Sequence, residues 1–198
     1  LSEEDRENTL KLLKLSDDDK KALKSHIENE KKSAATAAQA IEVERAASDF
    51  KTEMSVESRK MLATVFKEMS HVITKMKVLG DNGAVSSMQF KAWRLRIAST
   101  MRQVRKYFTY YKDGIGYCAF DRNKWKALED ITDEMWSSQE NDYSAYHQEQ
   151  SEKCKALLVS AMSDDIMLKY ASEGMCAASV HLRIVNTHAK KNIAHVMR

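Results

Sequence analysis

The absence of proline limits what this chain can fold into more than any other feature of its sequence. Proline does not occur among the 198 residues, and glycine occurs only five times. Proline breaks a helix and glycine weakens one by about 1 kcal/mol, so a chain poor in both is suited to long helices. Because 43% of the residues are hydrophobic, the chain can also bury a core. The composition therefore predicts an all-α protein.

Apolar periodicity and capping residues divide the chain into about seven predicted helices. They cover residues 2–15, 16–50, 58–79, 86–111, 121–136, 146–161 and 163–198. Ser16 and the three acids behind it form the clearest helix start, because a hydroxyl cap and negative charge both stabilise a helix N-terminus. Residues 137–141 are expected to form a link. We expect two antiparallel helical bundles, divided at the glycine-containing break after Lys112 into subdomains 1–112 and 113–198.

Charged residues are distributed in blocks along the chain. Residues 61–112 contain ten Lys or Arg and two acids, whereas residues 113–165 contain five basic residues and twelve acids. Residues 166–198 return to five basic residues and one acid. Surfaces of one sign attract surfaces of the other, so this polarity favours a binding or assembly function. The apolar runs are shorter than the ~20 residues of a spanning helix and no signal peptide is recognisable, so any membrane contact is expected to be peripheral.

The predicted helix 86–111 is the strongest candidate for a binding surface. One side carries an apolar stripe from Phe90 to Tyr111, and cations gather on the other side. No acid occurs between Asp81 and Asp113, so i,i+4 pairs cannot neutralise the cations. We predict an anionic lipid- or RNA-binding surface made of Lys60, Lys67, Lys75, Lys91, Arg94, Arg96, Arg102, Arg105, Lys106 and Lys112. The alternative is a solvated helix face whose partners are the acids of residues 113–165.

Binding of RNA at this surface would use the phosphate backbone. Of the aromatic residues in the helix, only Tyr107 and Tyr110 are placed to stack on bases, and none of the common RNA-binding signatures is present. Such binding would be sensitive to salt and insensitive to sequence.

The acidic block is predicted to serve self-association. Its candidate residues are Glu129, Asp130, Asp133 and Glu134, which would receive the basic helix of a neighbouring copy. Head-to-tail contacts between opposite faces do not close on themselves, so they build filaments or sheets. General acid–base chemistry or metal binding is one alternative for paired carboxylates, and a solvated helix face is the other. The sequence contains no nucleophile with a recognisable base, no phosphate-binding glycine loop and no metal-spaced His/Cys cluster, so we expect no enzymatic activity, cofactor or metal.

Three histidines recur every seven residues near the C-terminus, at His181, His188 and His195. Successive histidines lie about 10 Å apart on a helix, too far to chelate one metal ion. Ordinary packing is one interpretation. The other is a pH-sensitive interface, because histidine gains charge as the pH falls through about 6.5 and the neighbouring Arg183 and lysines would repel it.

The segment Gly80-Asp81-Asn82-Gly83, followed by Met88 and the basic run from Arg94 to Lys106, resembles the matrix proteins of orthomyxoviruses. In that family a turn rich in Asn and Gly precedes a helix with a dense basic cluster, and the small-residue segment 175–179 is similar as well. The length is close to that of the shorter matrix proteins of fish-infecting members. The resemblance implies that the basic cluster of this chain consists of Arg94, Arg96, Arg102, Arg105 and Lys106. The Cys–Cys–His–His pattern of influenza matrix proteins is absent, so zinc is not implied.

The charge pattern and the resemblance together favour a structural assembly protein, a viral matrix protein. Such a protein would form a layer on the inner face of the virion envelope and occur in the cytoplasm and nucleus of the host cell. Its partners would be other copies of itself, an anionic membrane and viral ribonucleoprotein. A helical RNA-binding protein of the nucleocapsid type is the alternative. A cytosolic helical adaptor, whose charged faces pair only with each other, is the third.

Overall fold

A computed structural model describes the backbone of residues 17–81 and 85–196, and the side chains of 18–81, 85–123 and 125–188. The described residues are mainly helical and include one small two-stranded sheet, which confirms the predicted all-α class. The described residues form eight α-helices, which are α1 (Asp17–Asp49), α2 (Val56–Thr74), α3 (Ser87–Thr100), α4 (Trp125–Leu128), α5 (Asp133–Asn141), α6 (Ala145–Ser160), α7 (Asp164–Tyr170) and α8 (Ala177–Val196). The strands are β1 (Thr109–Lys112) and β2 (Ile115–Cys118), and 3₁₀ segments cover Met101–Phe108 and Arg122–Lys124.

The predicted helix 16–50 is confirmed as α1, a single helix of 33 residues. The predicted helix 2–15 lies outside the described residues. Helix α2 begins after a Ser55 cap whose side chain accepts a hydrogen bond from the Ser58 amide. It ends at Thr74 rather than at Leu79. Leu79 instead pairs with the end of α6, where its amide donates to the Ala161 carbonyl at 3.0 Å.

The prediction of one helix from 86 to 111 is wrong in its last third. The α-helix ends at Thr100, and the following 3₁₀ segment contains Val104 with non-helical dihedral angles (φ −111°, ψ 17°). An antiparallel hairpin of β1 and β2 follows, with Lys112 opposite Ile115. The two-residue turn is Asp113-Gly114, and both residues have positive φ (51° and 69°). Asp-Gly is a preferred sequence for this type of turn because both positions require a left-handed backbone.

Two further predicted helices are interrupted. The predicted helix 121–136 is interrupted after α4, and Thr132 caps α5 by accepting a hydrogen bond from the Met135 amide. The segment 137–141, expected to be a link, lies within α5. The predicted helix 163–198 is divided between α7 and α8 by a connection that contains Gly174 at φ +78°. Local caps and a left-handed glycine therefore produce helix ends where apolar periodicity predicted continuity.

The core joins segments from both sides of the predicted boundary at 112/113. Phe66, Ile73, Trp93 and Ile97 from the N-terminal side belong to the same buried cluster as Leu158 on α6 and Ile184 on α8. The boundary itself is the hairpin turn. The arrangement as two antiparallel bundles remains a prediction.

Candidate anionic-surface interface

Helix α3 is held in one orientation by its cap and by its buried side. Ser86 and Gln89 form a capping box, in which each side chain bonds to the backbone of the other residue. Phe90, Trp93 and Ile97 are buried, as the stripe predicted. The Trp93 indole nitrogen donates to the Ala161 carbonyl at 2.9 Å, which ties α3 to the end of α6. The opposite face of α3 therefore points away from the core.

The outward face of α3 combines apolar and basic side chains. Met88 and Leu95 are seven residues apart, and they are 81% and 57% exposed. Lys91 and Arg96 are exposed beside them, and Arg102 is exposed at the start of the 3₁₀ segment. None of these three cations has an ion pair within the described residues. These five residues are called the α3 outer face below.

A shallow groove adjoins the α3 outer face. It has a volume of about 260 Å³, and its lining includes Lys77, Met88, Trp93 and Arg96. Lys77, in the connection that follows α2, is exposed. The groove therefore brings a cation from that connection next to one from α3.

Three of the ten predicted cations are engaged within the molecule. Arg105 forms an ion pair with Asp121, and its Nε donates to Cys118 Sγ at 3.1 Å. Arg94 lies over the Trp125 ring at 5.1 Å, where burial and the nearby Arg122 lower its pKa. These two side chains are directed toward the hairpin and α4.

Lys106 is the third engaged cation. It lies 5.1 Å from the Phe50 ring centroid and 5.2 Å from that of Tyr107, and burial lowers its pKa although Asp49 opposes the shift. The other predicted cations, Lys60, Lys67, Lys75 and Lys112, are exposed on α2, in the residue that follows it and at the hairpin. The exposed cations are therefore spread over α2 and the residue that follows it, α3, the 3₁₀ segment and the hairpin.

The predicted acidic residues differ in their surroundings. Asp133 forms an ion pair with Arg183 at 2.5 Å, which joins α5 to α8 within one molecule. Glu129 and Asp130 are exposed in the connection after α4. Glu134 is exposed in the first turn of α5, where hydrogen bonds from Thr132 and from its own backbone lower its pKa. Self-association through these four residues remains a prediction.

The predicted histidine row does not form an exposed surface. His181 is wholly buried, between Trp93 at 5.9 Å and Phe120 at 4.8 Å between ring centroids. His188 is 8% exposed and packs against Phe90 at 5.2 Å. The His195 side chain lies outside the described residues. Both imidazoles pack against aromatic rings, because a neutral imidazole is flat and can stack on such a ring or meet its edge.

Neither tyrosine of the basic segment is fully available for stacking on a base. Tyr107 is 3% exposed, and its hydroxyl lies 2.8 Å from Nδ1 of the buried His147. Tyr110 is half-buried and packs edge-on against Trp136 at 5.3 Å. Base stacking therefore has no prepared platform on this segment.

The apolar members of the interface and Lys77 were missed at the sequence level. Met88 and Leu95 are offset from the buried stripe of Phe90, Trp93 and Ile97 by about half a helix turn, so their exposure could have been read from the spacing. The participation of Lys77 could not be predicted from the spacing, because it depends on how the segment after α2 packs beside α3.

Among the described residues, no group of three or more His, Cys, Asp or Glu side chains is placed to hold a metal ion. None of the described helices has the length and apolarity needed to cross a membrane. Comparison with protein families, with curated protein sequences and with solved structures gives no match.

Proposed function

We propose that this is a structural assembly protein of the viral matrix type that docks on anionic membranes through the α3 outer face. The observation that carries the proposal is the combination of two exposed apolar side chains, Met88 and Leu95, with three exposed cations that have no ion pair in the described structure. In the setting that the family resemblance implies, the membrane is the inner face of a viral envelope. The ribonucleoprotein would then be a second anionic partner of the same cations.

The two kinds of side chain make separate contributions to membrane affinity. A cation near an anionic bilayer contributes about 1 kcal/mol, and this contribution weakens as salt screens the surface. A fully buried Met or Leu contributes about 1.5–3 kcal/mol, which salt does not weaken. Lys91, Arg96 and Arg102 would contact headgroups while Met88 and Leu95 enter the interfacial region.

RNA binding alone accounts less well for this surface. Phosphates would attract the cations equally, but Met88 and Leu95 would gain nothing from contact with a phosphate backbone. The burial of Tyr107 also removes one of the two side chains suited to base stacking. These features favour lipid over RNA as the primary partner.

The test is flotation of the full chain with vesicles of phosphatidylcholine, with and without 30% phosphatidylserine, at several salt concentrations. We expect binding that requires phosphatidylserine and weakens with salt. The triple variant K91A/R96A/R102A should lose about three cation contributions, which corresponds to a reduction in affinity of about 100-fold.

A matched control variant removes the same net charge from other parts of the molecular surface. Lys51, Lys153 and Lys169 are exposed on other parts of the molecule, so K51A/K153A/K169A should retain most of the binding. Absence of flotation at low ionic strength would contradict membrane docking. An affinity for single-stranded RNA that greatly exceeds the affinity for vesicles at equal salt would favour the nucleocapsid alternative.

A further inference from the structure

The shallow groove beside the α3 outer face is lined by side chains that carry positive charge or donate hydrogen bonds. Apart from apolar residues such as Met88, its described lining consists of Lys77, Ser86, Gln89, Trp93 and Arg96. The described lining contains no acidic residue, and Asp81, the acid nearest to Lys77 along the chain, does not belong to it. The groove is therefore suited to an anionic ligand.

The two cations of the groove come from different elements and are unpaired. Lys77 belongs to the connection after α2 and Arg96 to α3, and both side chains are exposed. Neither has an ion pair within the described residues. The fold thus brings two cations to one groove and supplies no described counter-charge there.

Two uncharged side chains of the groove also have donors to offer. Ser86 Oγ accepts a hydrogen bond from the Gln89 amide at 3.1 Å, and Gln89 Oε1 accepts one from the Ser86 amide at 3.3 Å. The capping box therefore uses an acceptor of each side chain and none of their donors. The Ser86 hydroxyl and the Gln89 Nε2 group have no acceptor within the described residues, so both can donate to a bound anion.

We infer that this groove binds the headgroup of a phosphoinositide, a lipid whose inositol ring carries monoesterified phosphates. Such a phosphate has a charge of about −1.5 to −2 at pH 7, which two unpaired cations can match. The Arg96 guanidinium can form two parallel hydrogen bonds to phosphate oxygens, and Lys77 can add a point charge. This inference rests on the proposed function, because Met88 and Arg96 belong both to the groove and to the face that would contact the bilayer.

Phosphatidylserine fits the groove less well, although the α3 outer face would attract it. Its headgroup carries an ammonium group beside the phosphate and the carboxylate. No acid of the described lining can pair with this ammonium group, and the two cations would repel it. The headgroup of a phosphoinositide carries no positive charge, so it matches a lining of donors alone.

The dimensions of the groove favour a ring with several phosphates over a single phosphate. Ser86 and Arg96 are ten residues apart, or about 15 Å along the helix axis, and the Arg96 side chain leans back toward the start of α3. Donors at the two ends of the groove are therefore best used by phosphates on opposite sides of a ring. The volume of about 260 Å³ is slightly below the ~300–1,000 Å³ of sites for drug-sized ligands, which suits a headgroup.

Calorimetric titration of the full chain with inositol trisphosphate, a soluble form of this headgroup, tests the groove without a membrane. We expect an affinity at least about tenfold higher than that for phosphoserine or inorganic phosphate. K77A should weaken the binding of inositol trisphosphate about tenfold, because it removes a charged hydrogen-bond donor. The matched control is K75A, which removes an exposed lysine outside the described lining and should change the affinity less than about twofold.

Substitutions that preserve charge separate recognition of phosphate from general attraction. R96K keeps the charge and loses the planar guanidinium, so the affinity for inositol trisphosphate should fall about fivefold, with flotation on phosphatidylserine vesicles nearly unchanged. R102K makes the same change outside the described lining and should alter neither measurement. Equal effects of R96K and R102K on the headgroup, or equal affinities for inositol trisphosphate and phosphoserine, would overturn the inference.

Flotation identifies the source of the headgroup. At equal total headgroup charge, vesicles with phosphatidylinositol bisphosphate should bind more tightly than vesicles with phosphatidylserine, and K77A should abolish this preference. Binding of inositol trisphosphate without such a preference would overturn the lipid assignment in favour of a soluble phosphate ester. Displacement of inositol trisphosphate by a lower concentration of single-stranded RNA would overturn it in favour of RNA.

The same measurements distinguish failure of this inference from failure of the proposed function. Flotation that requires phosphatidylserine, in a protein that does not bind inositol trisphosphate, would contradict the groove inference alone. Absence of flotation with either lipid at low ionic strength would contradict membrane docking itself.

Discussion

The imidazole of His181 is stacked on the indole of Trp93, with the ring centroids 5.9 Å apart and the planes 24° from parallel. His181 is wholly buried, and neither of its ring nitrogens has a hydrogen-bond partner within the described residues. Burial lowers the pKa of His181 to about 3, and the nearby Arg94 acts in the same direction. The ring is therefore neutral in the folded protein at physiological pH, and its proton uptake is coupled to unfolding rather than to a surface contact.

Acid should destabilise the protein through His181. In the unfolded chain this histidine titrates near its ordinary value, so between that value and the folded pKa the unfolded state binds more protons. Stability is then present above about pH 6.5 and is lost as the pH falls toward the folded pKa, by about 2 kcal/mol between pH 7 and pH 5. Urea unfolding of the parent and of H181L at both pH values measures this, and the loss should be smaller by that amount in H181L.

The same kind of substitution at an exposed histidine is the control for this experiment. His71 is exposed on α2, so H71L should leave the pH dependence of stability unchanged. An equal loss of stability in the parent and in H181L would show that His181 does not carry the effect.

Replacement of Gly80 should destabilise the fold more than replacement of Gly174. Both glycines have positive φ, at 84° and 78°, so alanine is strained at either position. At Gly80 an added Cβ would also lie 2.6 Å from atoms of Ile166 and Ser163, whereas nothing lies within 4 Å at Gly174. We expect G174A to cost about 1 kcal/mol and G80A about 3 kcal/mol. Equal shifts of the urea midpoint would contradict the packing at Gly80.

Trp93 should contribute to stability through its hydrogen bond as well as its volume. Trp93 is 3% exposed and donates to the Ala161 carbonyl, so W93F removes a buried donor and leaves a cavity. We expect a loss of about 2–4 kcal/mol in the free energy of unfolding. Trp125, which donates to the Ala119 carbonyl from a half-buried position, is the matched control. W125F should cost clearly less than W93F.

The two apolar residues of the α3 outer face, Met88 and Leu95, should strengthen the binding of vesicles but not the binding of RNA. M88S/L95S keeps every cation, so we expect affinity for phosphatidylserine vesicles to fall about tenfold or more, in proportion to the apolar area that no longer enters the bilayer. Leu168 on α7 is 77% exposed, so L168S is a control for the loss of an exposed leucine. Unchanged vesicle binding of M88S/L95S would show that only charge attracts the protein to the surface.

The helix starts and the buried side of α3 could be predicted from the sequence, because both depend on residues that are close together along the chain. The three acids after Ser16 predict a helix start, and α1 is described from Asp17 onward. The spacing of Phe90, Trp93 and Ile97 identifies the face that packs inward. The hairpin was predictable in principle, since Asp113-Gly114 is a strong turn signal. It was missed because the apolar period of the helix before it continues through Phe108.

The all-α class, the course of α1 and the inward face of α3 follow from backbone preferences and from spacing within a few turns, so they can be predicted from the amino-acid sequence. Which cations remain exposed depends on contacts between segments that are distant in the chain. Arg105 is engaged by Asp121 and Lys106 lies against Phe50, whereas Lys91 and Arg96 have no such partner among the described residues. The tertiary structure also buries His181 against Phe120, which lies 61 positions earlier in the chain. Whether a side chain is buried or engaged in an ion pair depends on which distant segments pack together. The periodicity of one segment contains no information about that packing.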